Sequence, residues 1–249
     1  MTKIRATNEI LHGKKLIHGN PEQVWGWSTP AGRIQALRRA ELIISGARLM
    51  PKLRVLEIGC GTGNFTERFA KTGASLVAMD ISHDLLEIAR ARNLIPERVQ
   101  FLKKRFEDCD VDGPFDAIIG SSILHHLDVE LSLIKIFELL KPGGIMSFAE
   151  PNMLNPQILI QKNIPWLKKR LGDSPDETAF VRWILHRHLL KAGFEKIEIT
   201  PFDWLHPATP VPLIQTIFRV NCLLESIPVI REFSGSLYIR CQRPRKLVQ

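Results

Sequence analysis

Residues 55–65, Val-Leu-Glu-Ile-Gly-Cys-Gly-Thr-Gly-Asn-Phe, constrain this chain more than any other stretch. A run of β type, Val55 to Ile58, enters a loop with glycine at 59, 61 and 63. A helical stretch follows from Asn64 to Lys71 and stops at Gly73. Glycine lets the backbone approach a ligand closely, and the helix start presents unpaired N–H groups toward it. Dinucleotide enzymes place G-x-G-x-x-G at the same point. Here the third glycine comes one position early, and Asn64 stands where that pattern takes Gly or Ala. Glu57, two residues before the loop, would repel a pyrophosphate and suit the ammonium of a cofactor that carries an amino acid.

Beyond this unit, β-type runs alternate with helical ones, the pattern of a parallel sheet covered by helices. Strands are expected at 75–79, 99–103, 115–119 and 145–149, with two later ones at 196–200 and 237–241. Helices are expected at 82–92, with Ser82 as N-cap, and at 128–140, with Leu131, Ile134, Leu139 and Leu140 on or near one side. Lys141-Pro142-Gly143-Gly144 breaks the second helix and turns the chain into the fifth strand.

A chain of 249 residues fits one large α/β domain with insertions and buries a substantial core unaided. Its four cysteines form no C-x-x-C pair, so neither a zinc site nor a disulfide framework is expected, and no metal is assigned. His186-Arg187-His188 looks like a metal patch, but these histidines do not share a helix face. No apolar run approaches the ~20 residues of a membrane span, and the first residues lack a secretory signal, so a cytoplasmic protein is expected. The net charge of +8 suggests nucleic acid until it is located. It lies at the two ends, +7 over residues 1–54 and +4 over 237–249, while the middle carries −3. A solvated terminus accounts for Arg240, Arg243, Arg245 and Lys246 better than a binding site does.

The expected organisation is an N-terminal helical arm over 1–50, ending in a helix from Ala31 to Leu49, and a catalytic domain over 51–249. Insertions are placed at about 151–175 and 201–235, the second with a helix at 213–226. All three segments are expected to gather over one end of the sheet as a lid. Asp80 closes the second strand, where an acid accepts hydrogen bonds from ribose hydroxyls. The alternative role, a helix cap, is filled better by Ser82.

With the glycine loop, Asp80, the strand 115–119 followed by Ser-Ser-Ile-Leu-His-His-Leu (121–127), and Leu-Lys-Pro-Gly-Gly (140–144) in this order and spacing, residues 50–150 resemble the class I S-adenosylmethionine-dependent methyltransferases. The wider resemblance is to the ubiquinone/menaquinone-type small-molecule branch. It implies a Rossmann-like three-layer sandwich with a seven-stranded, mostly parallel sheet of order 3-2-1-4-5-7-6 and an antiparallel last strand. It also implies S-adenosyl-L-methionine as cofactor. Gly59, Cys60, Gly61 and Gly63 would form the cofactor loop with Glu57 nearby. Asp80 would hold the ribose, Ile81 would pack on the adenine, and Ser121 would border the methionine part. Where the family often has an acid that reads the adenine amino group, this chain has Arg105, which cannot accept a hydrogen bond. Phe106 and Glu107, Asp108 or a backbone carbonyl are left for that place.

In the arm, Trp25 and Trp27 fit either core packing or closure over the cofactor, with Arg33 pairing the cofactor carboxylate. His125 and His126 are the candidate general bases by position, against a plain reading as cap and packing residues. The favoured function is in-line methyl transfer to a small acceptor that is apolar, aromatic or lipid-linked. Nucleic acid is disfavoured as a partner, because no Asn/Asp-Pro-Pro-aromatic element follows the fourth strand. An RNA methyltransferase and a non-catalytic cofactor-binding module of the same fold remain the alternatives. The apolar stretches 154–171 and 211–226 would cover the substrate or touch a membrane surface, or else pack on the sheet or on a second subunit.

Overall fold

The structure, a computed structural model, describes residues 3–171, 173–174 and 177–245. Lys246 of the basic tail lies outside them. The arm is α1 (Lys3–Leu16), α2 (Pro21–Val24) and α3 (Pro30–Ala47). Then come β1 (Arg54–Ile58), α4 (Asn64–Ala70), β2 (Ser75–Asp80), α5 (His83–Arg90), β3 (Val99–Lys103), β4 (Phe115–Ser121), α6 (Val129–Leu139) and β5 (Leu140–Pro151). The chain ends with α7 (Pro156–Asn163), α8 (Pro165–Arg170), α9 (Arg182–Lys191), β6 (Glu195–Phe202), α10 (Ile214–Ser226), α11 (Pro228–Arg231) and β7 (Ser236–Gln242).

The strands form one sheet of order β3-β2-β1-β4-β5-β7-β6. β7 runs antiparallel to both β5 and β6, and the other pairings are parallel. This is the expected topology. Strand parity builds the layers. Leu56 and Ile58 join Leu133, Ile136, Leu185 and Leu189 in a core under α6 and α9. Val55 and Leu76 face the other way, with Ile43 of α3 and Phe69 of α4. Local chemistry sets the ends of the helices. The Thr29 hydroxyl accepts from the Gly32 N–H at 2.9 Å with Pro30 at the first helical position, and the Ser82 hydroxyl accepts from Leu85, as expected.

Two details differ from the sequence reading. In α6 the buried stripe is Leu133 and Ile136, continued by Leu140, while Leu131 and Ile134 stand exposed. The helix is apolar on more than one side, so periodicity alone does not choose which stripe meets the sheet. The fifth strand starts at Leu140, not Ile145, because the Pro-Gly-Gly segment stays within it. Leu140 pairs with Phe115, a register shift follows before Ala117 meets Ile145, and Gly143 takes φ 81° in between.

Two arginines of the basic C-terminal end are engaged internally. Arg243 donates through Nη1 to the carbonyls of Phe137, Glu138 and Leu140 at the end of α6, and Arg240 donates to Gly46 at 3.0 Å. Among the described residues no helix is long and apolar enough to cross a membrane.

Candidate active site

The C-terminal ends of β1, β2 and β4 open into a cavity of about 400 Å³ at the point where the strand order reverses, within the usual range of small-molecule sites. Gly59, Cys60 and Gly61 form one wall. Gly59 holds φ 69°, and a Cβ there would stand 2.4 Å from Ile123, so this turn excludes side chains. The Gly59 and Cys60 N–H groups donate to the Met79 carbonyl at 2.8 and 3.0 Å, tying the loop to β2.

Asp80 lies at the edge of the cavity. Its Oδ2 accepts from the Gly61 N–H at 2.9 Å, and its Oδ1 from the Ser82 N–H at 2.8 Å. A carboxylate has about four acceptor positions, so one on each oxygen is left for a vicinal diol. Burial raises the pKa of Asp80, and the two backbone N–H groups oppose the rise. Ile81, Phe106, Glu107 and Ser121 also line the cavity. The Ser121 hydroxyl is buried there without a partner, an orphaned group suited to the polar end of a ligand. Past β3, Arg105 pairs with Asp108 at 2.7 Å, and Asp108 does not line the cavity. Glu107 does, its Oε1 accepting from the Asp128 N–H at 3.3 Å.

Trp25 and Trp27 both reach the cavity. A Cβ on Gly61 would touch the Trp25 ring at 3.4 Å, and Trp27 meets Phe65 edge-on at 5.6 Å. Glu9, His12, Gly13 and Leu16 of α1 form the roof. From the insertion after β5, Ile158, Gln161, Lys162 and Leu171 close another side. Among the described residues, none of 201–235 lines the cavity. That segment packs behind it, with Leu205 and Ile214 against Ala31 of α3.

Three expected residues are not brought to the cavity. Arg33 is exposed, on the solvent side of α3. The arginine of α3 that is buried beside the site is Arg39, whose Nη1 donates to Ser122 Oγ at 3.2 Å and whose Nη2 donates to Ser236 Oγ at 3.0 Å. Its guanidinium lies over Trp27 and Phe202, 5.4 and 5.9 Å from their ring centres. Gly63 supports the loop from behind, since a Cβ there would press on Ala89 of α5 at 3.1 Å. Glu57 shares the face of Val55 and is buried toward α4.

Burial pushes the Glu57 pKa up to about 8, with the Asp80 charge adding to the rise and Thr66 opposing it. Glu57 is therefore a neutral acid at pH 7. The folded protein keeps a proton that the unfolded chain loses above its ordinary 4.5, so this group's contribution to stability falls as pH rises from 4.5 through about 8. Glu57→Gln is expected to be more stable than the parent at alkaline pH and equal to it near pH 4, as read by urea unfolding.

A second cluster sits beside the cavity. His125 is buried, with Nδ1 2.6 Å from Glu150 Oε2 and Nε2 3.6 Å from Glu177 Oε1. Burial lowers its pKa, but the bonds and charges of the two carboxylates outweigh that and raise it to about 9. Its ring is an imidazolium at neutral pH and cannot accept a proton. The His126 ring lies against it, tilted by 42° with the ring centres 4.2 Å apart, and its own Nδ1 is 3.1 Å from Glu9 Oε2. Arg5 donates to the His125 carbonyl at 2.5 Å, so α1 holds this turn twice. Glu150 Oε1 accepts from the Ile123 and Leu124 N–H groups, both at 2.9 Å, and Lys162 pairs with Asp173 at 2.8 Å and with Glu177. His125, His126 and Glu177 offer ligand atoms within 4.8 Å of one another and could hold a metal ion only if His125 gave up its proton. Glu9, His12, Lys162 and Glu177 were not singled out in the sequence, and no local signal marks them, since they come from three separated segments.

The comparisons with known proteins fit this geometry. Residues 55–144 match the family model described as a methyltransferase domain. Over 133 residues the chain is 32% identical to a ubiquinone biosynthesis O-methyltransferase of Xanthomonas campestris pv. campestris (strain B100), covering 51% of this chain and 56% of that protein. The chain thus spans about half the length of the curated relatives it matches. Among solved structures it resembles the N-methyltransferase NodS from Bradyrhizobium japonicum WM9, in complex with S-adenosyl-L-homocysteine. The TM-score is 0.65 at 16% identity, over 95% of this chain and 99% of that one. It also resembles the [4+2]-cyclase SpnF, with a TM-score of 0.61 at 20% identity over 84% and 82%. The fold is the one these proteins share.

Proposed function

We propose that the chain is an S-adenosylmethionine-dependent methyltransferase acting on a small apolar, aromatic or lipid-linked acceptor. The observation that carries this reading is the cavity at the sheet's switch point. There a glycine loop, a carboxylate with spare acceptor positions and an unpartnered serine hydroxyl meet around one ligand-sized space. Gly59, Cys60, Gly61, Asp80, Ile81, Phe106, Glu107 and Ser121 would hold the cofactor, and Trp25 would cover it. Bound there, the cofactor supplies an electrophilic methyl group.

The protein's own work is alignment, exclusion of water and handling of one proton. α1 and the two tryptophans close the cavity from solvent. Glu9 beside Nδ1 of His126 keeps the proton on that nitrogen, which leaves Nε2 as the acceptor for a proton from a hydroxyl or acidic carbon. His125, fixed between Glu150 and Glu177, is a positioning residue that holds the turn. Leu16, Ile123, Leu127, Ile158 and Leu171 in the lining support an apolar acceptor.

SpnF shows that neighbours of this fold bear different activities, so turnover must be read directly. Labelled methyl donor with a panel of phenol, quinone-precursor and lipid acceptors should give label in an organic-extractable product. Label confined to polar products would contradict the acceptor class. Asp80→Asn should weaken cofactor binding about 5- to 150-fold by titration calorimetry, the loss of one charge-assisted contact pair of ~1–3 kcal/mol. An unchanged affinity would remove Asp80 from the site.

A further inference from the structure

Half of the large apolar side chains that stand exposed among the described residues fall in two short segments, α7–α8 and 211–233. Trp166, Val211, Leu223 and Val229 are each more than 60% exposed, at 64, 64, 63 and 72%. The segments adjoin. Asn155 donates through Nδ2 to the Phe233 carbonyl at 2.9 Å, and Gln157 meets His206 at 2.8 Å. In α10 the inner side carries Ile214 and Asn221, the latter accepting from the Trp204 N–H at 2.8 Å. Val220, Leu223 and Ile227, spaced three and four apart, stand on the outer side.

The charges on this face have one sign. From Asn152 to Leu171 the chain carries four Lys/Arg and no Asp/Glu. Lys162 turns inward onto Asp173 and Glu177, while Lys169 and Arg170 at the end of α8 are exposed, as is Arg219 of α10. The acids of the second segment are held by partners elsewhere in the fold: Glu225 pairs with Arg38 at 2.5 Å, and Glu232 with Arg182 at 2.8 Å. We infer that this face docks on the surface of an anionic lipid bilayer, with the apolar side chains in the headgroup region and the cations on the lipid phosphates. A second copy of the chain fits less well, since a two-fold contact through this face would set its cations against their own kind.

On its inner side α7 lines the cavity through Ile158 and Gln161, and Leu171, just past α8, lines it too. A bilayer on the outer face therefore lies next to the cavity rim, where a membrane-dissolved acceptor would enter. That delivery role rests on the methyl-transfer reading; the docking itself does not.

Co-sedimentation of the full chain with vesicles tests the docking. With phosphatidylcholine plus about one quarter phosphatidylglycerol, binding should be at least tenfold stronger than with phosphatidylcholine alone. It should fall roughly tenfold in Lys169→Glu/Arg170→Glu and comparably in Leu223→Ser/Val229→Ser, with unfolding temperatures near the parent's because all four side chains are exposed. Absence of binding to either vesicle, or parent-like binding by both variants, overturns the inference. So does a stable dimer in sedimentation velocity that Leu223→Ser dissociates. Vesicle binding by a chain that fails to bind S-adenosylmethionine would sink the methyl-transfer reading and leave the docking face standing.

Discussion

Glu150→Ala is expected to destabilise the fold by about 3–5 kcal/mol, the cost of stripping one partner from a buried ion pair. Glu150 is fully buried and accepts three hydrogen bonds, from the Ile123 and Leu124 N–H groups and from His125. Without it the His125 charge faces the interior with Glu177 alone. The linkage has a definite sign. The pKa of His125 is raised from 6.5 to about 9 on folding, so its contribution is fully present below pH 6.5 and is lost as pH rises through about 9. Glu150 and Glu177 are held low despite their burial, so their contribution exists above the ordinary 4.5 and is lost as the pH falls through their folded values. The parent should therefore lose stability on both sides of a middle range, and in Glu150→Gln the decline between pH 6.5 and 9 should shrink. Denaturant unfolding at several pH values reads both effects. A Glu150→Ala protein as stable as the parent would show that the cluster is not held as described.

His126→Gln is expected to lower kcat by about 10²–10⁴-fold for an acceptor that must lose a proton, with cofactor affinity nearly unchanged. Glutamine keeps the bulk and a hydrogen bond to Glu9 but cannot take up the proton. A full rate in His126→Gln would assign the proton to another acceptor.

Features set by local chemistry were legible in the sequence. The glycine loop, the alternation of strands and the Ser82 cap each depend on residues a few positions apart, and the structure has them where expected. The strand order came from the resemblance and not from periodicity. The site's polar cluster was legible only in part. The position of His125 and His126 after β4 was readable, but their carboxylate partners, Glu150 and Glu177 for the first and Glu9 for the second, come from 25 to 117 residues away. Arg33 follows Trp25 and Trp27 closely in the sequence. The turn of α3 instead puts Arg39 against the Trp27 ring, and which arginine faces inward depends on the angle at which the helix meets the sheet. The same limit applies to 201–235, whose apolar residues read equally well as a cover for the cavity or as packing behind it.

Titration calorimetry of the purified chain with S-adenosylmethionine and S-adenosylhomocysteine, with NAD as the control, tests the central claim most directly. Both sulfur compounds should bind with micromolar dissociation constants and NAD should give no heat. Absence of binding by either sulfur compound, or comparable binding of NAD, would contradict the assignment of this cavity.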